Sequence, residues 1–210
     1  MRMIDFAKTE EFLKKYVLKT PKAELVAGFS SAAKEKLRSA ASKFGFPVVL
    51  KVISKDIPCM SAVGVVQTVD SPELFDKIHE TLLKNLKKKK PNAKVQGILV
   101  QKHISGQSLI VVVRHDAQFG AVVQIGAGVG AGCCTELEPL GIAHMATGFA
   151  PLDKKHAEAM AAAVPTPPAS LADFLIKVSR CGAEQHLDLA VDVFFTSAGI
   201  EVVDAKLFEC

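Results

Sequence analysis

The chain has 210 residues, 49% of them apolar, enough to bury a sizeable core as one domain or as two packed lobes. Its net charge of +4 is modest, and with no Trp and one Tyr it has little aromatic surface for stacking bases, so no nucleic-acid partner is expected. Mean hydropathy is positive at +0.25, yet apolar runs such as 46–50 and 108–113 are too short to span a bilayer, so no membrane partner is expected either.

The first residues, Met1-Arg2-Met3-Ile4-Asp5, turn charged and helical at once, without the apolar stretch and cleavage site of a signal peptide, and a cytoplasmic location is expected. Helices are predicted over Glu10–Tyr16 and Ser31–Phe44, the second stopped by Gly45. After Pro47, the β-branched run 48–53 reads as a strand holding one charge, Lys51, a pattern that points the lysine into a site or toward a sheet edge. A second strand is predicted over Val63–Val69, then a helix opened by Ser71 and Pro72. This helix runs into Lys84, Lys87, Lys88, Lys89 and Lys90, which read as a solvated cationic helix end rather than a phosphate-backbone contact.

Beyond Pro91 the runs Val95–Gln101, Ser108–Arg114 and Gly120–Ile125 look like neighbouring antiparallel strands. A glycine-rich segment, 126–132, follows, then an irregular stretch to Pro151. Helical patterns come next around 157–163 and 171–178, separated by the stiff Pro165-Thr166-Pro167-Pro168 connector. Leu187–Thr196 and Ile200–Leu207 close the chain as a hairpin, and the whole order indicates a layered α+β fold. The five cysteines, Cys59, Cys133, Cys134, Cys181 and Cys210, lack CxxC spacing, which argues against a disulfide framework or structural zinc and for reduced thiols.

Alternating glycines after an apolar strand let backbone N–H groups cradle phosphate. Residues 126–131 spell the letters of a dinucleotide-binding fingerprint, but no apolar helix follows and no acid-tipped strand stands some twenty residues on. A dinucleotide-binding module is therefore the weaker reading, and a plain tight loop beside a sheet is the bland one.

Phe46-Pro47-Val48-Val49-Leu50-Lys51-Val52-Ile53-Ser54-Lys55-Asp56-Ile57, Gly97–Gln101, Asp116-Ala117-Gln118-Phe119-Gly120, Ala150-Pro151-Leu152 and Val202-Val203-Asp204-Ala205-Lys206 together resemble, in order, the signatures of the ATP-grasp domain of ADP-forming acyl-CoA synthetases. The resemblance implies an α+β ATP-grasp fold over 1–210, with a smaller lobe at 20–95 and a larger one from 1–19 and 96–210, clamping ATP or ADP with Mg²⁺. It places Lys51 and the glycines Gly126 and Gly128 at phosphates, and the backbone of Val100, Gln101, Lys102 and His103 along the adenine. Asp192 with Glu136 or Glu138 is placed at the metal.

Several positions depart from the family pattern. Cys59 stands where members carry a phosphoryl-accepting His, Ser108 where a Glu is usual, and Gly148 where an Arg would face the phosphates. The terminal Glu-Leu-Asp-Ile-Asn-Pro motif becomes Asp188-Leu189-Ala190-Val191-Asp192-Val193. The implied role is the nucleotide-binding subunit of a ligase interconverting acyl-CoA, ADP and phosphate with a carboxylic acid, CoA and ATP. It would work in a hetero-oligomer with a CoA-binding alpha-type subunit that brings the acid or acyl-CoA. A nucleotide-binding or scaffolding subunit without turnover is the alternative.

Overall fold

The computed structural model describes residues 2–58, 60–127, 144–196 and 199–209. They divide into two compact units, 21–104 and 1–20 with 105–210.

In the 21–104 unit, strands β2 (Ala23–Val26), β3 (Val48–Ser54), β4 (Val66–Val69) and β5 (Val95–Lys102) form a sheet in the order β2-β5-β3-β4. Helices α2 (Ser31–Phe44) and α4 (Phe75–Lys89) supply the remaining layer, with a single turn α3 (Met60–Val63) before β4. Helix α2 begins where the Ser30 hydroxyl accepts the Ala33 N–H, and it stops at Gly45, whose φ of 75° suits a residue without a Cβ. Helices α2 and α4 are tied by Asp76, which accepts from Lys34 and Arg38, both at 2.6 Å. Those two cations hold the Asp76 carboxyl down at about 2.

Two expectations are corrected here. The run 63–69 opens as the end of α3 and becomes a strand only at Val66, because Gly64, at φ 76°, breaks the extended path. Strand β5 does not neighbour the strand that follows it in sequence; it inserts between β2 and β3, with Leu99 opposite both Leu25 and Lys51. Strand β2, which a four-residue polar-flanked run does not announce, is the reason: β5 must fill the gap between it and β3. At Gly97 a Cβ would lie 2.4 Å from the Val26 carbonyl oxygen, so this close strand approach needs glycine.

In the other unit, β1 (Arg2–Met3), β6 (Gln107–Asp116), β7 (Gly120–Ala127), β8 (His144–Phe149), β9 (Leu187–Thr196) and β10 (Gly199–Glu209) form a sheet ordered β1-β10-β9-β6-β7-β8. Its helices are α1 (Phe6–Lys15), α5 (Lys154–Ala162) and α6 (Leu171–Gln185). Helix α1 starts earlier than its apolar spacing implies, because Asp5 caps it by accepting the Lys8 N–H at 3.0 Å.

Alternation decides what each sheet face does. Leu109, Val111, Val113, Leu189, Val191 and Val193 pack on Phe12, Leu13, Leu171, Leu175 and Val178 of the helices as one core. Fully burying side chains of this size contributes about 1.5–3 kcal/mol each. At Gly182 of α6 a Cβ would meet Val113 Cγ1 at 2.5 Å, so the helix lies directly on the sheet. The intervening residues Ile110, Val112 and Ala190 form a separate buried apolar cluster on the opposite face.

Every strand pair in both described sheets is antiparallel. That removes the parallel sheet a dinucleotide-binding module would require.

Candidate functional site

In the 21–104 unit the sheet sorts the expected nucleotide residues between its faces. Lys102 lies opposite Val48, and its Nζ donates to the Gly45 carbonyl at 2.8 Å, at the end of α2. The face of Val48, Leu50, Val52, Ile98 and Val100 is therefore the helix-covered one. Val100 is fully buried there. The other face takes Val49, Lys51, Ile53, Leu99 and Gln101, with Lys51 opposite Leu99 and Gln101 opposite Val49.

Lys51 and Gln101 are thus diagonal neighbours on one face, each only 6% exposed. Strand β3 runs between β5 and β4, so the sheet-edge alternative for Lys51 is excluded. A lysine on an interior strand, almost out of water, is held only where anions or acceptors meet its ammonium.

Of the adenine-segment residues, then, Gln101 shares the face of Lys51, whereas Val100 and Lys102 point to the helices. The backbone there is partly committed as well. The Lys102 N–H donates to the Lys22 carbonyl at 2.8 Å, and the His103 N–H to the Pro47 carbonyl at 3.3 Å.

The segment around position 59 is fastened on both sides. Before it, the Ser54 hydroxyl donates to the Lys94 carbonyl at 2.8 Å, and Asp56 accepts the Lys94 N–H at 2.7 Å. After it, Lys89 Nζ donates to the Ala62 carbonyl at 3.1 Å and Asn85 Nδ2 to the Gly64 carbonyl at 2.9 Å. Cys59 itself, like Gly128, Glu136 and Glu138, lies outside the described residues.

In the other unit the face opposite the helices carries a row across four strands. Asp204 of β10 pairs with Asp192 of β9, Asp192 with Ile110 of β6, and Ile110 with Gly126 of β7. The next row holds Lys206, Ala190, Val112 and Gln124 in the same strand order. At about 4.8 Å per strand, the two carboxylates stand side by side, and Gly126 lies roughly 10 Å from Asp192 across Ile110. Ile110, Val112 and Ala190 make an apolar floor between the acidic end and Gly126. Lys206 Nζ contacts Asp204 Oδ2 at 2.7 Å.

The departures from the family pattern sort the same way. Ser108 lies opposite Phe194, on the face of Asp192. Gly148 lies opposite Val123 of the core, and a Cβ there would sit 2.8 Å from both Leu152 Cδ2 and Met160 Sδ. A side chain at 148 is thus aimed at the helices, away from the Asp192 face. Asp188 is spent within the fold: its Oδ1 accepts the His115 N–H at 2.8 Å.

Sequence reasoning assigned no role to Asp204 and Lys206. A signal for them existed, because two charges spaced two apart along a strand share one face. What the sequence alone lacks is the register that sets Asp204 against Asp192.

Two carboxylates on adjacent strands thus share one sheet face with an apolar floor that runs from them toward Gly126. The ATP-grasp domain family matches residues 2–176. The chain belongs to that family, and its fold is the α+β ATP-grasp fold.

More particularly, it is 29% identical over 82% of its length to the ADP-forming acetate–CoA ligase I of Archaeoglobus fulgidus, of which it spans 27%. It is 26% identical to the beta subunit of the ADP-forming acetate–CoA ligase II of Pyrococcus furiosus, over 98% of this chain and 90% of that one. It also matches the dinucleotide forming acetyl-coenzyme A synthetase 1 of Ca. Korarchaeum cryptofilum, solved with coenzyme A, Ca-AMPCP and HgCl+. That match has a TM-score of 0.79 at 25% identity, covering all of this chain and 94% of the other. The chain thus spans about a quarter of one curated relative and nearly all of another.

Proposed function

We propose that this chain is the ATP/ADP-binding part of an ADP-forming acyl-CoA synthetase, working in the cytoplasm with a CoA-binding alpha-type subunit as a hetero-oligomer. The partner would bring the carboxylic acid or acyl-CoA. The observation that carries the reading is the row Asp204–Asp192–Ile110–Gly126, in which paired carboxylates and an apolar floor share one sheet face.

Magnesium fits this donor set. Asp204 already holds a cation, the Lys206 ammonium, and a magnesium that keeps several waters needs only one or two carboxylates besides the phosphates. Asp192 and Asp204 would hold it. When bound, it would neutralise charge on the phosphates. Within the 21–104 unit, Lys51, buried on its interior strand, would offer a positive charge to phosphate oxygens, as phosphoryl transfer rests on positioning and charge neutralisation. Gln101, beside Lys51, is the adenine-segment side chain that can act on the same face.

One observation favours a subunit without its own turnover. Position 59 is Cys, whose thiol cannot form the phosphoimidazole expected of the His it replaces. Two experiments separate the readings. Titration calorimetry with Mg-ADP, Mg-ATP and NAD should give heat with the adenine nucleotides and none with NAD; silence with both adenine nucleotides would end the proposal. With the CoA-binding subunit added, ATP formation from acyl-CoA, ADP and phosphate marks the enzyme, and binding without ATP formation marks the non-catalytic subunit.

A further inference from the structure

Two lysines are buried among the described residues, one in each unit, and Lys206 is the one whose partner is a carboxylate of the candidate metal pair. Its side chain is 9% exposed and that of Asp204 is 23%, so the 2.7 Å contact is largely shielded from water. Alternation along β10 puts 204 and 206 on one face, while the register sets Asp192 opposite Asp204 and Ala190 opposite Lys206. Ala190 sets only a methyl group opposite Lys206, whose Nζ reaches Asp204 Oδ2.

Directly opposed residues on antiparallel strands have Cβ atoms about 4.5–5.5 Å apart, and like charges there repel. The ammonium offsets that repulsion. Two carboxylates and one ammonium leave a single negative charge, whereas adding a bare divalent cation would leave a single positive charge in a half-buried place. Phosphate oxygens arriving with the metal cancel that excess and offer the displaced ammonium a new acceptor.

We propose that Lys206 is a resident counter-ion that occupies the metal's place on Asp204 until a nucleotide phosphate arrives, so that divalent metal enters as the metal–nucleotide complex and not alone. The inference deepens the nucleotide-binding reading and rests on it for the identity of the arriving anion. No bond is made or broken; Lys206 exchanges a carboxylate acceptor for a phosphate one.

The test uses the full chain and Mn²⁺ as probe, with free Mn²⁺ followed by its paramagnetic resonance signal. Without nucleotide, the wild type should bind Mn²⁺ weakly. Lys206→Met, similar in length but uncharged, should bind it about tenfold more tightly, the effect of removing one positive charge next to a divalent cation in a partly screened site. Lys206→Arg should stay near wild type. Added ADP should tighten Mn²⁺ binding in the wild type and do so less in Lys206→Met.

Thermal melting establishes that each variant is folded. Should Lys206→Met fail to fold, Lys206→Gln, which can still donate to Asp204, gives the same readout. Tight Mn²⁺ binding by the nucleotide-free wild type, or an unchanged Mn²⁺ affinity in the folded uncharged variant, would overturn the proposal. Failure of the nucleotide reading is told apart from this: wild type would then bind no ADP, while the charge effect on bare Mn²⁺ could still be seen.

Discussion

Replacing Lys51 by Met keeps the length and shape of a side chain buried on an interior strand while deleting its charge. A unit charge about 4 Å from a phosphate oxygen, at an effective dielectric of about 20, is worth about 4 kcal/mol. Water and counter-ions replace part of that in the variant, so a net loss of about 2 kcal/mol, on the order of thirtyfold in Kd, is expected for Mg-ADP and Mg-ATP. Adenosine, which has no phosphate, should bind the two proteins alike. Titration calorimetry of all three ligands on folded protein measures this. If Lys51→Met binds Mg-ATP within twofold of wild type, or loses adenosine as strongly as ATP, then Lys51 is not a phosphate ligand and the reasoning from its burial fails.

Lys102→Met should leave nucleotide affinity nearly unchanged and lower stability by about 1 kcal/mol in urea melts, because its ammonium donates to the Gly45 carbonyl. Gly97→Ala should cost about 3 kcal/mol or more by the same assay, since the new Cβ meets the Val26 carbonyl oxygen and carbon at 2.4 and 2.9 Å and only movement of β2 relieves it. Asp76 has its pKa lowered from 3.8 to about 2 by Lys34 and then Arg38, so the stability it contributes is present above pH 3.8 and fades as pH falls through about 2. Wild type should accordingly be more stable than Asp76→Asn at neutral pH, with the two acid-unfolding curves converging between about pH 4 and pH 2.

The elements that repeat a period were legible before any fold was known. Ser31–Phe44 carries its cap and its stop in the sequence, and the hairpin of β9 and β10 shows as two long apolar runs with a glycine between them. Strands β2 and β8 were not legible. β2 is short and mostly exposed, and β8 is a mixed run at the sheet edge, so neither shows the apolar alternation of a buried strand. Missing β2 also led to the wrong neighbour for β5. The choice of site residues divided along the same line: Lys51 and Asp192 are charges inside apolar strands and stand out, whereas Asp204 becomes informative only when paired with Asp192.

By itself, then, the order of residues determined the α+β class, the family and the one lysine that a β-branched strand would not otherwise keep, because those follow from local period and local motif. Only the tertiary structure decided that Val100 and Lys102 turn to the helices while Gln101 joins Lys51, that position 148 faces the core, and that Lys206 rests on Asp204. The physical reason is register: side chains alternate faces along a strand, so which residues meet depends on how distant strands align, and no local pattern encodes that.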